Sequence, residues 1–307
     1  YTDVLGTSVI NFPTKDHWRS PSKLSYIKNG LEWFRDNYQQ LGITSIAFPP
    51  LGCGNGGLPW NIVGPLMYTM LSDLPIDIEI YAPFGTNPEQ ISIEYLKQHS
   101  AKSTQELTGV KNIPFNKYWL LILHVVQQLN RDQYSLNVGR TIFQKVCYIL
   151  TRVGIPTGFN FFEGRYGPYA SEVKDAIMVL SNANLMTERQ FGRMVETVVS
   201  PSFKLPDNTF TADELNRANR AVDLLTRIKS TDHAEMVATV LFSYDELSAK
   251  LPVVKDIDVF NHVLSWKCRW KDSKEAEICS TINSLSSLGW MNPICSGKIS
   301  SFDEESY

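Results

Sequence analysis

Two short stretches hold residues whose types and spacing could do chemistry. The first is Gly52-Cys53-Gly54-Asn55-Gly56-Gly57, four glycines in six residues within "FPPLGCGNGGLPW". Glycine allows φ above zero and lets backbone amides approach an anion closely. A helix N-terminus adds unpaired N–H groups and partial positive charge, so a strand, glycine loop and helix in that order suit a pyrophosphate. The competing reading is a tight turn with no ligand. The second stretch is "NFPTKDHWRSP", where Asp16, His17, Trp18 and Arg19 follow Lys15. A lysine beside a bound sugar phosphate can pair with the phosphate. With its pKa lowered by desolvation or by a cation such as Arg19, its amine can instead attack an anomeric carbon. The competing reading is an ordinary solvated lysine.

These residues need elements to position them. Residues 8–12, "SVINF", read as a short buried strand. Ser20-Pro21 reads as a helix start with Ser20 as N-cap. Leu24, Ile27, Leu31, Phe34, Tyr38 and Leu41 then step by three and four, one face of an amphipathic helix ending at Gly42. "TSIAFPPL" is a second strand, a helix runs from about residue 59 to 71, and "IDIEIYAPF" is a third strand. This order predicts an α/β layer with parallel strands. Both loops follow strands and should share the sheet edge where ligands of open α/β folds bind, which places Lys15 in the same cleft as the glycines.

Gly52 to Gly57 also fits G-x-G-x-x-G, the dinucleotide-binding fingerprint. That reading requires an acid at the C-terminal end of the next strand. Asp77 and Glu79 lie at the start and middle of "IDIEIYAPF", and its end is Tyr81-Ala82-Pro83-Phe84. The nicotinamide reading fails on this point.

Residues 89–113 read as a polar linker. From residue 114 the pattern is mainly helical: segments at 117–129, 139–154 and 166–186, a strand pair or wing over Gly192 to Val199, and four helices near 211–229, 232–249, 256–271 and 274–288. The tail from residue 296 is expected to fray. The aromatics Phe159, Phe161, Phe162, Tyr166 and Tyr169 favour the core, with some available as anchors for a protein partner. Helices followed by a wing suggest a winged-helix core and a DNA-binding regulator. Charge argues against this, since residues 114–307 hold 21 Lys+Arg and 22 Asp+Glu, no basic excess.

The 307 residues are 43% hydrophobic and 20% charged with a net charge of −3, as in globular chains. No apolar run is long enough for a bilayer, so no membrane partner is expected, and a cytoplasmic location is. The five cysteines are scattered without C-x-x-C, and no histidine pair has metal spacing, so neither metal nor cofactor is called for.

"NFPTKDHWRSPSKLSYIKNGLEWF", "GITSIAFPPLGCGNGGLPW" and "LPIDIEIYAPFG", over residues 5 to 86, together resemble the macrodomain of the DarG antitoxins. The resemblance implies a DNA ADP-ribosyl glycohydrolase that removes ADP-ribose from bases of single-stranded DNA, opposing the ADP-ribosyltransferase toxin DarT. It implies Lys15 as the catalytic residue. It also implies ADP-ribose binding by Pro50, Leu51, Gly52, Cys53, Gly54, Asn55, Gly56, Gly57 and Leu58, with His17, Trp18 and Arg19 as candidate DNA contacts. Gly56 stands where a protein-acting relative carries a catalytic aspartate, which leaves Asp16 as the candidate partner of Lys15. "GRTIFQKVCYILTRVGIP" and "RYGPYASEV" resemble the toxin-neutralising part of DarG and Panacea-type antitoxin domains, which implies a DarT-like toxin as protein partner. The fold expected is a partial macrodomain, a mixed α/β sheet with helices, over residues 1–88. A linker at 89–113 and a mainly α domain with a winged-helix-like core at 114–307 follow. The chain opens at Tyr1 directly on strand-like sequence, without the first half of the family's macrodomain, so weak or no hydrolase turnover is expected of it. The rival function is a purely protein-binding antitoxin with an inert macrodomain remnant.

Overall fold

The computed structural model describes residues 8–16, 20–54, 56–103, 115–131, 136–191 and 194–299. The chain forms two compact units, one of residues 1–116 with 174–203 and one of residues 117–173 with 204–307. Mixed α/β structure comes first and a mainly helical remainder follows, as the sequence pattern predicts.

In the first unit, α1 (Leu24–Asn37) buries Leu24, Ile27, Leu31 and Phe34, the face set by the three-and-four spacing. Tyr38 is buried just beyond it, whereas Leu41 is exposed in the turn that ends at Gly42, whose φ is 65°. The helix starts later than expected. Its N-cap is Lys23, with no side-chain cap, and Ser20 is buried before it. Residues 9–15 form no strand. They run as irregular chain after a single bridge at Ser8. Packing holds this segment instead: the Phe12 ring lies directly over Gly30 of α1, where no Cβ fits, and meets Phe48 edge-on at 6.4 Å. Phe48 also packs edge-on against Phe34 at 5.2 Å.

Strand β1 (Ser45–Phe48) pairs in parallel with β2 (Asp77–Ile80), Ser45 opposite Asp77 and Phe48 opposite Ile80. Pro49-Pro50 cannot continue a paired strand, and the chain turns into the glycine loop. Helix α2 (Trp60–Leu71) follows without an N-terminal side-chain cap or an acid in its first turn. It packs against α1 and α3 (Ile93–Ser103). Within the segment expected to be linker, a 3-10 turn at Pro88–Ile91 and α3 are helical, and 104–114 lie outside the described residues.

Four helices of the second unit match the sequence pattern closely: α7 (Ala212–Thr226), α8 (Thr231–Ser248), α9 (Asp256–Trp266) and α10 (Glu275–Ser287). A full capping box starts α7, Thr211 with Glu214. Every residue from Ala234 to Ser243 in α8 is buried, the mark of a central helix. It packs against α9, α10, α5 (Arg140–Arg152) and strand β4 (Gly167–Tyr169). Helix α4 (Trp119–Arg131) packs on α5 and α7.

One expected helix is mostly something else. Residues 162–169 form the hairpin β3 (Phe162–Gly164) and β4, and helix α6 begins only at Val173 (Val173–Asn182). Gly167 has φ of 86° and Pro168 follows it, a pair that helices reject. Phe159 is buried, while Phe162 and Tyr166 are exposed. The hairpin β5 (Met186–Phe191) and β6 (Met194–Val199) forms where the wing was expected, and with α6 it belongs to the first unit.

Buried cations grip the β3–β4 hairpin. Lys145 Nζ donates to the Pro168 carbonyl at 2.9 Å. Lys267 Nζ donates to the carbonyls of Gly164 at 3.0 Å and Arg165 at 2.7 Å. Lys267 and Arg269 share Glu235, at 3.0 and 2.6 Å. Removing that carboxylate strands the buried charge of Lys267, so Glu235→Ala is expected to cost about 3–5 kcal/mol in chemical denaturation. Burial lowers the Lys145 pKa to about 7, against the pull of Glu235 and aided by Lys267. Above pH 7 the folded lysine has lost a proton that the unfolded one keeps until about pH 10.4, so unfolding free energy should rise across that window. Lys145→Met should flatten that rise in denaturation series run between pH 7 and 10.

Candidate functional site

The end of β1, the glycine loop and the segment carrying Lys15 all converge on the chain just before α1. Two consecutive amides do the joining. Ser22 N–H donates to the Gly56 carbonyl at 2.9 Å, and Lys23 N–H donates to the Thr14 carbonyl at 3.2 Å. The glycine loop and the residue before Lys15 are thus both tied to the same two-residue segment, from amides that point to opposite sides of extended chain.

The glycine loop is closed by its own backbone. Cys53 N–H donates to Pro50 O at 3.1 Å, Gly57 N–H to Gly54 O at 3.0 Å and Leu58 N–H to Gly52 O at 3.0 Å. None of these bonds uses the amides of Gly54 or Gly56. Gly52 and Gly57 have φ of 70° and 77°, which favours glycine at both. At Gly56 the requirement is space: a Cβ would collide with the Gly52 carbonyl and with Ser22 Oγ. An aspartate therefore has no room at this position in the loop as it stands. A Cβ on Gly54 meets nothing within 4 Å. Leu51 and Leu58 are buried, and burial pushes the Cys53 thiol up to about 12, which disfavours its nucleophilic thiolate form. Pro50 is half-buried and Asn55 lies outside the described residues.

Lys15 is half-buried on the irregular stretch between Thr14 and Asp16, while His17, Trp18 and Arg19 lie outside the described residues. Asp16 is committed elsewhere. Its carboxylate accepts from Lys23 Nζ at 2.8 Å and closely from the Tyr26 hydroxyl. Burial acts to raise the Asp16 pKa, but the bonds from Lys23 and Tyr26 and the charge of Lys23 win and lower it. The same contact raises the pKa of Tyr26. Asp16 thus stays an anion at neutral pH with two donors upon it, which corrects its assignment as a free acid–base partner of Lys15. Its role is positional: Lys23 grips both neighbours of Lys15, Thr14 through its amide and Asp16 through its ammonium.

Sequence reasoning also missed two contributors from α6. Asn182 Oδ1 accepts from the Leu24 amide at 2.9 Å and supplies the cap that α1 lacks locally. Met178 Sδ lies 3.2 Å from where a Gly57 Cβ would sit. More than a hundred residues separate α6 from the loop it touches, and no local pattern announces such a contact. The steric argument predicts that Gly56→Ala forces the loop open and costs about 1–3 kcal/mol in thermal or urea unfolding, while Gly54→Ala stays near the parent. Equal effects at the two positions would refute it.

The Macro domain family matches residues 3–67. The chain is 27% identical over 234 residues to a DNA ADP-ribosyl glycohydrolase of Mycobacterium bovis, covering 72% of this chain and 62% of that protein. It is 33% identical over 170 residues to a DNA ADP-ribosyl glycohydrolase of Thermus aquaticus, covering 55% and 43%. It is 53% identical over 72 residues to a DNA ADP-ribosyl transferase–DNA ADP-ribosyl glycohydrolase fusion protein of Thermosipho africanus, covering 24% and 19%. The chain thus spans less than two thirds of the length of these relatives. Macro-domain sequence thus lies at its N-terminal end, and similarity to DNA ADP-ribosyl glycohydrolases, the DarG type, runs along most of its length.

Proposed function

We propose that the first unit binds ADP-ribose through the glycine loop and, as part of the whole protein, removes it from DNA bases. The observation that supports this is the pair of amides, Ser22 to Gly56 and Lys23 to Thr14, which ties the glycine loop and the residue before Lys15 to one short segment. Glycine amides that the loop bonds among the described residues do not use, together with the N-terminus of α2 that has no side-chain cap, suit a pyrophosphate. In this reading Pro50 to Leu58 hold the diphosphate and Lys15 does the chemistry. Its neutral amine attacks the anomeric carbon, and the bond from that carbon to the base nitrogen breaks. The base leaves with the electron pair and takes up a proton. Water then hydrolyses the lysine adduct, releasing ADP-ribose and restoring the amine. His17, Trp18 and Arg19, next in sequence, are the proposed contacts to single-stranded DNA, an aromatic and a cation suited to a base and a phosphate.

The 114–307 region is proposed to bind and block a DarT-like toxin, so that the protein neutralises by contact as well as by repair. The fusion of transferase and glycohydrolase in the Thermosipho relative supports pairing of the two activities. Exposed Phe162 and Tyr166 on a hairpin clamped by buried cations offer rigid aromatic anchors for such contact.

Release of ADP-ribose from an ADP-ribosylated single-stranded oligonucleotide tests the enzymatic reading. Lys15→Ala is expected to reduce the rate at least about 100-fold, the scale of losing a covalent catalyst. An equal rate in Lys15→Ala overturns the role of Lys15. No release by the unsubstituted chain, with toxin still neutralised in a co-expression assay, favours the purely protein-binding antitoxin.

A further inference from the structure

We infer that Ser22 is a latch for the glycine loop, its hydroxyl reserved for a phosphate oxygen of the bound ADP-ribose. The inference rests on the reading of this loop as an ADP-ribose site. Ser22 is fully buried, and its Oγ makes no hydrogen bond. A buried hydroxyl without a partner costs stability, and alanine would fill the same space without that cost. Helix propensity does not call for serine either, because α1 begins only at Leu24 and takes its cap from Asn182.

The hydroxyl points at the loop. It lies 3.2 Å from the position a Cβ would take on Gly52 and in collision range of one on Gly56. It therefore sits under the two glycines that bracket the turn, on the same residue whose amide holds Gly56. Nearby backbone groups are already engaged: Gly52 O accepts from Leu58, and Gly56 O accepts from Ser22 itself. An incoming phosphate brings the acceptor that is missing. A small shift of the loop would let Ser22 Oγ donate to that oxygen while its amide keeps hold of Gly56. Ligand binding would then relieve an unfavourable group in the free protein, so that loop closure and phosphate recognition are coupled through one residue.

The test compares the full chain with Ser22→Ala in two measurements, the melting temperature without ligand and calorimetric titration with ADP-ribose. Ser22→Ala is expected to melt at or above the parent temperature and to bind ADP-ribose at least about 10-fold more weakly, the loss of one hydrogen bond to a charged group. Unchanged affinity in Ser22→Ala, with the parent binding normally, overturns the latch and leaves the loop assignment standing. Weaker binding with a lowered melting temperature also overturns it, since the hydroxyl would then be structural. Failure of the parent to bind ADP-ribose removes the loop assignment and the latch with it.

Discussion

The site in this protein depends on two neighbouring peptide amides. Ser22 and Lys23 lie in extended chain before α1, and their N–H groups reach different segments, Gly56 in the glycine loop and Thr14 beside Lys15. A backbone pair of this kind is insensitive to side-chain type but strict about position. It requires the loop carbonyl to come within 2.9 Å of Ser22, and the Ser22 hydroxyl together with the Gly52 carbonyl leaves Gly56 no room for a Cβ. The absence of an acid in the loop therefore has a steric cause in this chain.

Asp16, Lys23 and Tyr26 form a short charged relay whose effect is mechanical. Lys23 and Tyr26 hold Asp16, and Lys23 holds Thr14, so the backbone on either side of Lys15 is tethered to α1. Phe12 extends the tether toward the core by packing over Gly30 and against Phe48. Because Phe48 is also the last residue of β1, one aromatic contact ties the lysine segment to the strand that launches the glycine loop. The irregular stretch before α1 thus keeps its place through side-chain packing and two amides, with no strand pairing across residues 9–15.

The second unit solves a different problem. Its composition is nearly neutral, yet Lys145, Lys267 and Arg269 gather around one carboxylate, Glu235. Burying surplus cations is costly, and here their hydrogen bonds to backbone carbonyls of the β3–β4 hairpin offset part of it. The outcome is a hairpin fixed from below with aromatic residues displayed above, a geometry suited to a partner surface and invisible in net charge. The guanidinium groups of Arg165 and Arg269 lie 5.5 and 5.7 Å from the Tyr166 ring centre, contacts that add to the hold on the tip.

Sequence alone determined the periodic elements and the loop chemistry. The three-and-four spacing from Leu24 to Tyr38 marks α1, Pro49-Pro50 marks the end of β1, and the four glycines mark a loop with unusual backbone freedom. The last four helices were legible for the same reason: periodicity and capping are local properties written in consecutive residues. The strand at 8–12, the cap at Ser20 and the helix through Tyr166 to Tyr169 were misread. In each, long-range packing or a positive φ overrode local propensity. Tertiary structure decided what Asp16 faces, that Asn182 caps α1, that Met178 leans on Gly57, and that Ser22 lies under the loop. A hydrogen bond needs an acceptor within about 3 Å in space, and distance along the chain carries no such information. Residue types suited to chemistry are visible in the sequence, while the groups packed around them are visible only in the fold.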